Sequence, residues 1–251
     1  MTVEPLRALR AVAAIARDPD DTAQAFTLIE ALSGVRTPAW IARRLHGRAL
    51  LRDRPDILAQ LTDREALCRM PSDSLAHAYL AFVESEGISA EGLRTASLRG
   101  EARSADADVE FVRQRMRDTH DLWHAVLGYR GDVLGEASVL AFTFAQTRNA
   151  AIGVLVLVGL LKLGTAEARA LVVNGFRRGR RAAWFPEQPW ESLLPLPVDE
   201  VRRRLRAGTP PAYTPIRATE LRAGRRAQKM ASSLLPNDAS CPVASCSRSR
   251  T

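Results

Sequence analysis

The chain has 251 residues, of which 46% are hydrophobic and 25% charged, a balance that excludes wholesale disorder and a polytopic membrane protein. Its formal net charge of +8 invites a nucleic-acid partner, but residues 209–251 hold seven basic side chains against Glu220 and Asp238, and residues 1–208 are nearly balanced. A phosphate-tracking surface needs a concentrated basic face on the folded part, and neither zinc-finger spacing nor an aromatic-rich RNA signature accompanies these arginines, so no nucleic acid is expected.

Residues 1–21 carry charges too early and too often for a secretory leader, and the three cysteines, Cys68, Cys241 and Cys246, have no ligand spacing and read as free thiols. Lysine occurs only at 162 and 229, which points to a GC-rich, bacterial genome. A cytoplasmic protein is therefore expected. Helical punctuation then recurs along the chain. A helix over 22–32 closes at Gly34, Thr37-Pro38 offers an N-cap with proline in the first turn, and Thr62-x-x-Glu65 has the form of a capping box. A further helix runs over 72–86 and stops at Gly87. No run alternates strictly, so the fold class expected is all-α, a single-domain helical bundle over 1–207 followed by a disordered basic tail over 208–251.

Across 105–129 the side chains Val109, Val112, Met116, His120, Trp123 and Leu127 recur at steps of three or four, which places His120 on the buried stripe. His124 lies one further turn on, about 40° round at 100° per residue, so the two imidazoles project from one face and can meet one ion. Asp121 sits between them and leans toward His124. Another ligand has to come from elsewhere. Glu136 would lie roughly 18 Å along a continued helix, but Gly128, Gly131 and Gly135 break the run and Asp132 offers a new N-cap. The chain can therefore turn and send Glu136 back. Two neutral imidazoles and two carboxylates balance a divalent cation and suit Zn, Fe(II) or Mn.

Residues 152–163 are the most apolar stretch, too short to span a bilayer and ambiguous between helix and buried strand. They suit a central core helix, or else a tunnel wall or membrane-contacting face. Arg177-Arg178-Gly179-Arg180-Arg181 reads either as a solvated helix end or as a lipid-steering run, flanked by Trp184 and Trp190. His46 and His77 need no functional role.

The stretch HDLWHAVLGYRGDVLGE has the form His-Asp-x-x-His, eleven residues, then Glu. It resembles the signature of the coenzyme Q (ubiquinone) biosynthesis protein 4 family, and the likeness runs over about residues 26–206, through Arg115-Met116-Arg117, Gly179-Arg180 and Trp190-Glu191 to the helix VDEVRRRL. The resemblance implies a helical fold with an apolar tunnel and a zinc-like divalent site formed by His120, Asp121, His124 and Glu136. It also implies a polyprenyl-bearing substrate and peripheral association with the inner face of the cell membrane. The activity implied is metal-dependent, oxidative or simple decarboxylation of a polyprenyl-hydroxybenzoate in ubiquinone biosynthesis, with Asp121 and Glu136 as the catalytic candidates. Arg113 and Arg117, one or two turns before the histidines, could hold the ring carboxylate; alternatively Arg117 pairs with Asp121 at i to i+4. The partners expected are a prenylated aromatic acid or quinone precursor, other quinone-biosynthesis enzymes and a second copy of the chain. A rival function is a lipid-binding scaffold that organises those enzymes. A His-Asp phosphohydrolase or a desaturase-like diiron site would need more histidines than the four present.

Overall fold

The computed structural model describes residues 36–88, 92 and 104–216, and among these every regular element is a helix. The first four are short: α1 (Arg36–Leu45), α2 (Ala49–Asp53), α3 (Ile57–Thr62) and α4 (Arg64–Cys68). Then come α5 (Leu75–Ser85), α6 (Ala107–Asp118), α7 (His120–Leu127), α8 (Val133–Thr147), α9 (Ala150–Lys162) and α10 (Ala166–Arg181). A 3-10 turn over Phe185–Glu187, α11 (Trp190–Leu193) and α12 (Val198–Arg204) complete the body. The expected helix over 22–32, Cys241, Cys246 and most of the tail lie outside the described residues.

Side-chain caps start the principal helices. Ser74 Oγ accepts from the His77 amide at 3.3 Å, Asp106 Oδ1 from Asp108 at 2.9 Å, Asp132 Oδ1 from Leu134 at 3.0 Å and Asn149 Oδ1 from Ala151 at 3.0 Å. Each satisfies an otherwise orphaned amide and contributes ~1 kcal/mol. Two expected starts shift. Thr37 lies inside α1, and the cap of α4 is Asp63, which accepts from Ala66 at 3.0 Å, while Thr62 Oγ1 bonds back to Leu58 O at 2.9 Å. A carboxylate one residue later outcompetes the threonine because it accepts the amide hydrogen bond as an anion.

The main core gathers Trp123 of α7, Phe142 of α8, Phe185 and Trp190, with ring centroids of neighbouring pairs 4.7–5.9 Å apart. Trp190 is thus core, whereas half-buried Trp184 packs edge-on to Trp40 at 6.0 Å with Arg44 over its ring. A smaller cluster joins α1 and α2 to α6 through Ile41, Leu45, Leu50, Leu51, Val109 and Val112. Within this interior, Arg115 makes a two-point ion pair with Glu191 at 2.7 and 2.9 Å and also donates to Gln188 O at 3.1 Å. The carboxylate and the carbonyl offset what desolvating the guanidinium costs.

Helices α8 and α10 meet backbone to backbone. A Cβ on Gly175 would overlap the Ser138 carbonyl oxygen, and one on Gly179 would lie 2.7 Å from Phe142 O; Gln146 Nε2 then donates to Gly179 O at 2.6 Å. This closure leaves no room between them for the apolar segment, so α9 is helical but is not the central core helix. After Ile152 none of its described side chains is fully buried, and Leu157 and Leu161 are 56% and 74% exposed. Apolar on all sides, it carried no periodic sign of which face would be covered. No helix among the described residues is long and apolar enough to cross a membrane.

Gly175→Ala is expected to lower the stability of the fold by about 2 kcal/mol, because the new methyl must push α8 and α10 apart. Chemical denaturation followed by circular dichroism measures it, and an unchanged midpoint would show that the crossing has slack.

Candidate metal centre

The stripe expected over 105–129 is present but interrupted once. Thr119 closes α6, with its Oγ1 donating to Arg115 O at 2.8 Å, and α7 begins at His120. Helix α7 is only two turns long, ending where Gly128 adopts φ +73°, a left-handed conformation open to glycine at little cost. A side chain there is also excluded by Pro210, which sits where a Cβ would be. Four residues later Asp132 caps α8, which places Glu136 in the first turn of that helix.

This reversal brings together what the sequence separates. One ligand atom from each of His120, His124 and Glu136 lies within 4.8 Å of the others. His124 Nε2 stands 3.4 Å from Glu136 Oε1, close to the edge of about 3.3 Å of a tetrahedron with bonds of about 2.0–2.1 Å. The side chain of His124 is fully buried, with Phe82 stacked on it at 4.9 Å and its Nδ1 3.2 Å from the Tyr129 carbonyl oxygen. That carbonyl only accepts, so Nδ1 carries the hydrogen and Nε2 presents a lone pair to the group. Nε2 has no hydrogen-bond partner although it is buried. A buried acceptor aimed at a second imidazole and a carboxylate is the donor set of a divalent ion, with a backbone carbonyl holding the ring from behind. The three residues could hold a metal.

Asp121 does not join that group. Its Oδ1 lies 3.6 Å from His120 Nδ1, so it leans toward the first histidine rather than, as expected, the second. Burial disfavours the charged form of His120, but the Asp121 carboxylate and the charge of Glu136 outweigh it and raise the imidazole pKa. Burial likewise works against the Glu136 carboxylate, yet the two neighbouring imidazoles, His124 foremost, bring its pKa down to about 2. The side chains of His120 and Glu136 remain 36% and 45% exposed, so the group is walled by His124 and open on the opposite side. Burial first, then the charge of Asp121, lifts the nearby Tyr79 phenol above its ordinary range.

Arg113 makes two hydrogen bonds to Glu110, at 2.9 and 2.5 Å, and these draw the Glu110 pKa down to about 2 despite burial. Arg117 is half-buried, its basicity lowered by burial and by the charge of Arg113. His46 is exposed beside Gly47, and His77 Nε2 lies 3.3 Å from Cys68 O; neither belongs to the centre.

Several supporting residues gave no local signal in the sequence. Arg178, expected in a solvated helix end, is buried: it donates to Ala207 O at 2.8 Å and Leu127 O at 3.0 Å, and its guanidinium lies 5.1 Å from the Tyr129 ring centroid. Arg202 donates to Val126 O at 2.9 Å and Ala125 O at 3.2 Å. Two cations from distant elements thus cap the last carbonyls of α7, where positive charge is favoured. Glu86 accepts from the Gly131 amide at 3.1 Å, and Tyr213 accepts from the Arg130 amide at 2.9 Å. Residues 208–215, grouped with the tail by composition, therefore include contacts that hold the reversal.

Residues 23–211 match the family model described as Coenzyme Q (ubiquinone) biosynthesis protein Coq4. The chain belongs to that family. Among its curated relatives, the mitochondrial ubiquinone biosynthesis protein of Podospora anserina is 31% identical over 191 residues, 74% of this chain and 61% of that protein. That of Aspergillus clavatus is 30% identical over 175 residues, 68% of this chain and 60% of that protein. The chain thus spans about three fifths of the length of these relatives. A crystal structure from Nostoc punctiforme, described as a candidate ubiquinone biosynthesis protein, superposes with a TM-score of 0.59 at 22% identity, covering 83% of this chain and all of that one, and shows the same helical fold.

These relatives overturn the expected location. The curated proteins are fungal and are named mitochondrial, which contradicts a bacterial, cytoplasmic protein but is consistent with peripheral association with an inner membrane. The arginine bias reports genome base composition and does not distinguish kingdoms. Early charges do not separate a cytosolic N-terminus from an arginine-rich transit segment.

A divalent ion must displace the proton from His120, and a raised pKa extends that competition above the ordinary imidazole value of about 6.5. Zinc affinity is therefore expected to rise from pH 6 to pH 8, with Asp121→Asn moving the rise to lower pH because the carboxylate that holds the proton is gone. Zinc titrations at several pH values measure this; a loss of affinity in Asp121→Asn at pH 8 would instead make Asp121 a direct ligand.

Proposed function

We propose that the chain acts in ubiquinone biosynthesis as a metal-dependent carbon–carbon lyase, removing the ring carboxylate of a polyprenyl-hydroxybenzoate. The observation that carries the reading is the buried, unpartnered Nε2 of His124 facing Glu136 and His120. His120, His124 and Glu136 would hold the ion, with Asp121 beside His120 as the group that orients it. Zinc suits two imidazoles and a carboxylate, and Fe(II) or Mn fits the same set. When bound, the ion supplies Lewis acidity toward a substrate oxygen.

The chain's own residues do the rest. Half-buried Arg117, one turn before His120, is the cation that docks the substrate carboxylate, Arg113 being already paired with Glu110. In the decarboxylation the bond between the ring carbon and the carboxyl carbon breaks, carbon dioxide departs, and the electron pair left on the ring takes up a proton. Asp121, partly open to solvent beside His120, is the group we assign to pass that proton, while Glu136 stays an anion toward the ion. In the oxidative variant the carboxyl carbon leaves as carbon dioxide, water supplies the hydroxyl that replaces it on the ring, and dioxygen takes up the two electrons and two protons and leaves as hydrogen peroxide. Family membership supports quinone-biosynthesis enzymes as neighbours and a prenyl-bearing precursor as substrate.

Purified protein loaded with zinc, iron or manganese and given a prenylated hydroxybenzoate labelled in its carboxyl carbon is expected to release labelled carbon dioxide. Glu136→Ala should reduce that release at least ~100-fold, since losing a ligand costs at least as much as losing one of its supporting partners, ~10–100-fold. His120→Ala combined with His124→Ala should abolish metal retention while helicity persists. Retained metal in the double variant would sink the ligand assignment, and metal uptake with no release from the wild-type protein would favour a scaffold that uses its ion only to hold its shape.

A further inference from the structure

Beyond α12, which ends at Arg204, the chain turns and runs through residues 208–215 without regular structure, against the reversal between α7 and α8. Its contact there is specific. The Tyr213 hydroxyl accepts from the Arg130 amide at 2.9 Å and donates to Asp132 Oδ2 at 2.6 Å. The other carboxylate oxygen of Asp132 accepts from the Leu134 amide at 3.0 Å, and the Asp132 carbonyl oxygen accepts from the Glu136 amide at 2.8 Å. One hydroxyl therefore ties both sides of the reversal to the residue that starts the helix bearing Glu136.

The surroundings are built to admit this contact. Any side chain at Gly135 would collide with the Arg130 carbonyl oxygen and come within 2.7 Å of the Tyr213 hydroxyl, and Pro210 fills the space above Gly128. The Tyr213 ring lies 6.2 Å from that of Tyr129, whose carbonyl fixes His124. Asp132 is itself buried, so the hydroxyl serves a carboxylate oxygen that water reaches poorly.

We propose that Tyr213 is a positioning residue for the metal centre: acting through Asp132, it holds the first turn of α8 so that Glu136 stays against His124. The proposal rests on the reading of His120, His124 and Glu136 as one ligand group. Tyr213 hydrogen-bonds to Arg130 and Asp132 and to none of the three, and its effect on metal affinity passes through Glu136.

The test uses the full chain with Tyr213→Phe, which keeps the ring and removes only the hydroxyl. In metal-free protein, hydrogen exchange at the Arg130, Leu134 and Glu136 amides is expected to quicken about three- to tenfold, the range for loss of one hydrogen bond, with amides of α10 unchanged. Zinc should bind about three- to tenfold more weakly to Tyr213→Phe. In a Glu136→Gln background the same substitution should change zinc affinity by less than about twofold. Unaltered exchange at Leu134 and Glu136, or an equal loss of zinc affinity with and without Glu136, overturns the proposal. Wild-type protein that takes up no zinc, while exchange quickens as stated, overturns the metal reading alone and supports the role of Tyr213 in holding α8.

Discussion

The His124 ring is held from behind by the Tyr129 carbonyl at 3.2 Å, and much of the site depends on that contact. It assigns the hydrogen to Nδ1 and leaves Nε2 as an acceptor facing the group. Because Tyr129 is also the first residue after the glycine that ends α7, the carbonyl that orients the imidazole belongs to the turn that returns Glu136. Ligand orientation and chain reversal are therefore one local structure, and Phe82 stacked on the ring at 4.9 Å removes the remaining freedom of His124.

A two-turn helix has little stability of its own, since nucleation is costly and its end carbonyls lack partners. Here those carbonyls are met by guanidiniums. Arg202 takes Ala125 and Val126, Arg178 takes Leu127, and the Gly128 amide takes His124 at 2.8 Å. Arg178 can reach Leu127 because α10 lies close against α8, and that closeness follows from Gly175 and Gly179 meeting the backbone of α8. Arg115 and Glu191 perform a comparable task at the start of the same region, fixing the last turns of α6 to α11 from inside the protein. Charge in this interior is thus paired or directed at carbonyls.

The centre is asymmetric. His124 forms a dry wall, while His120 and Glu136 keep exposed faces, so the group can meet both an ion and a second molecule. The apolar helix α9 is also exposed, with Leu157 and Leu161 the large hydrophobic side chains left uncovered among the described residues.

Much of this was legible in order along the chain. The three-four spacing from Val109 to Leu127, the i to i+4 histidines, the glycines and the Asp132 cap are local quantities, and local backbone geometry turns them directly into a helix, a shared face, a stop and a restart. The sequence by itself therefore determined an all-α fold and the return of Glu136 to the two histidines. It could not determine which way Asp121 leans, because the residue between two ligands on a helix can approach either. Nor could it separate buried Arg178 from exposed Arg177 and Arg180, or show that Tyr213, far along the chain, bonds to Asp132. Those contacts form between segments dozens of residues apart, and only the close approach of α8 and α10 and the course of residues 208–215 decided which polar groups would be desolvated together.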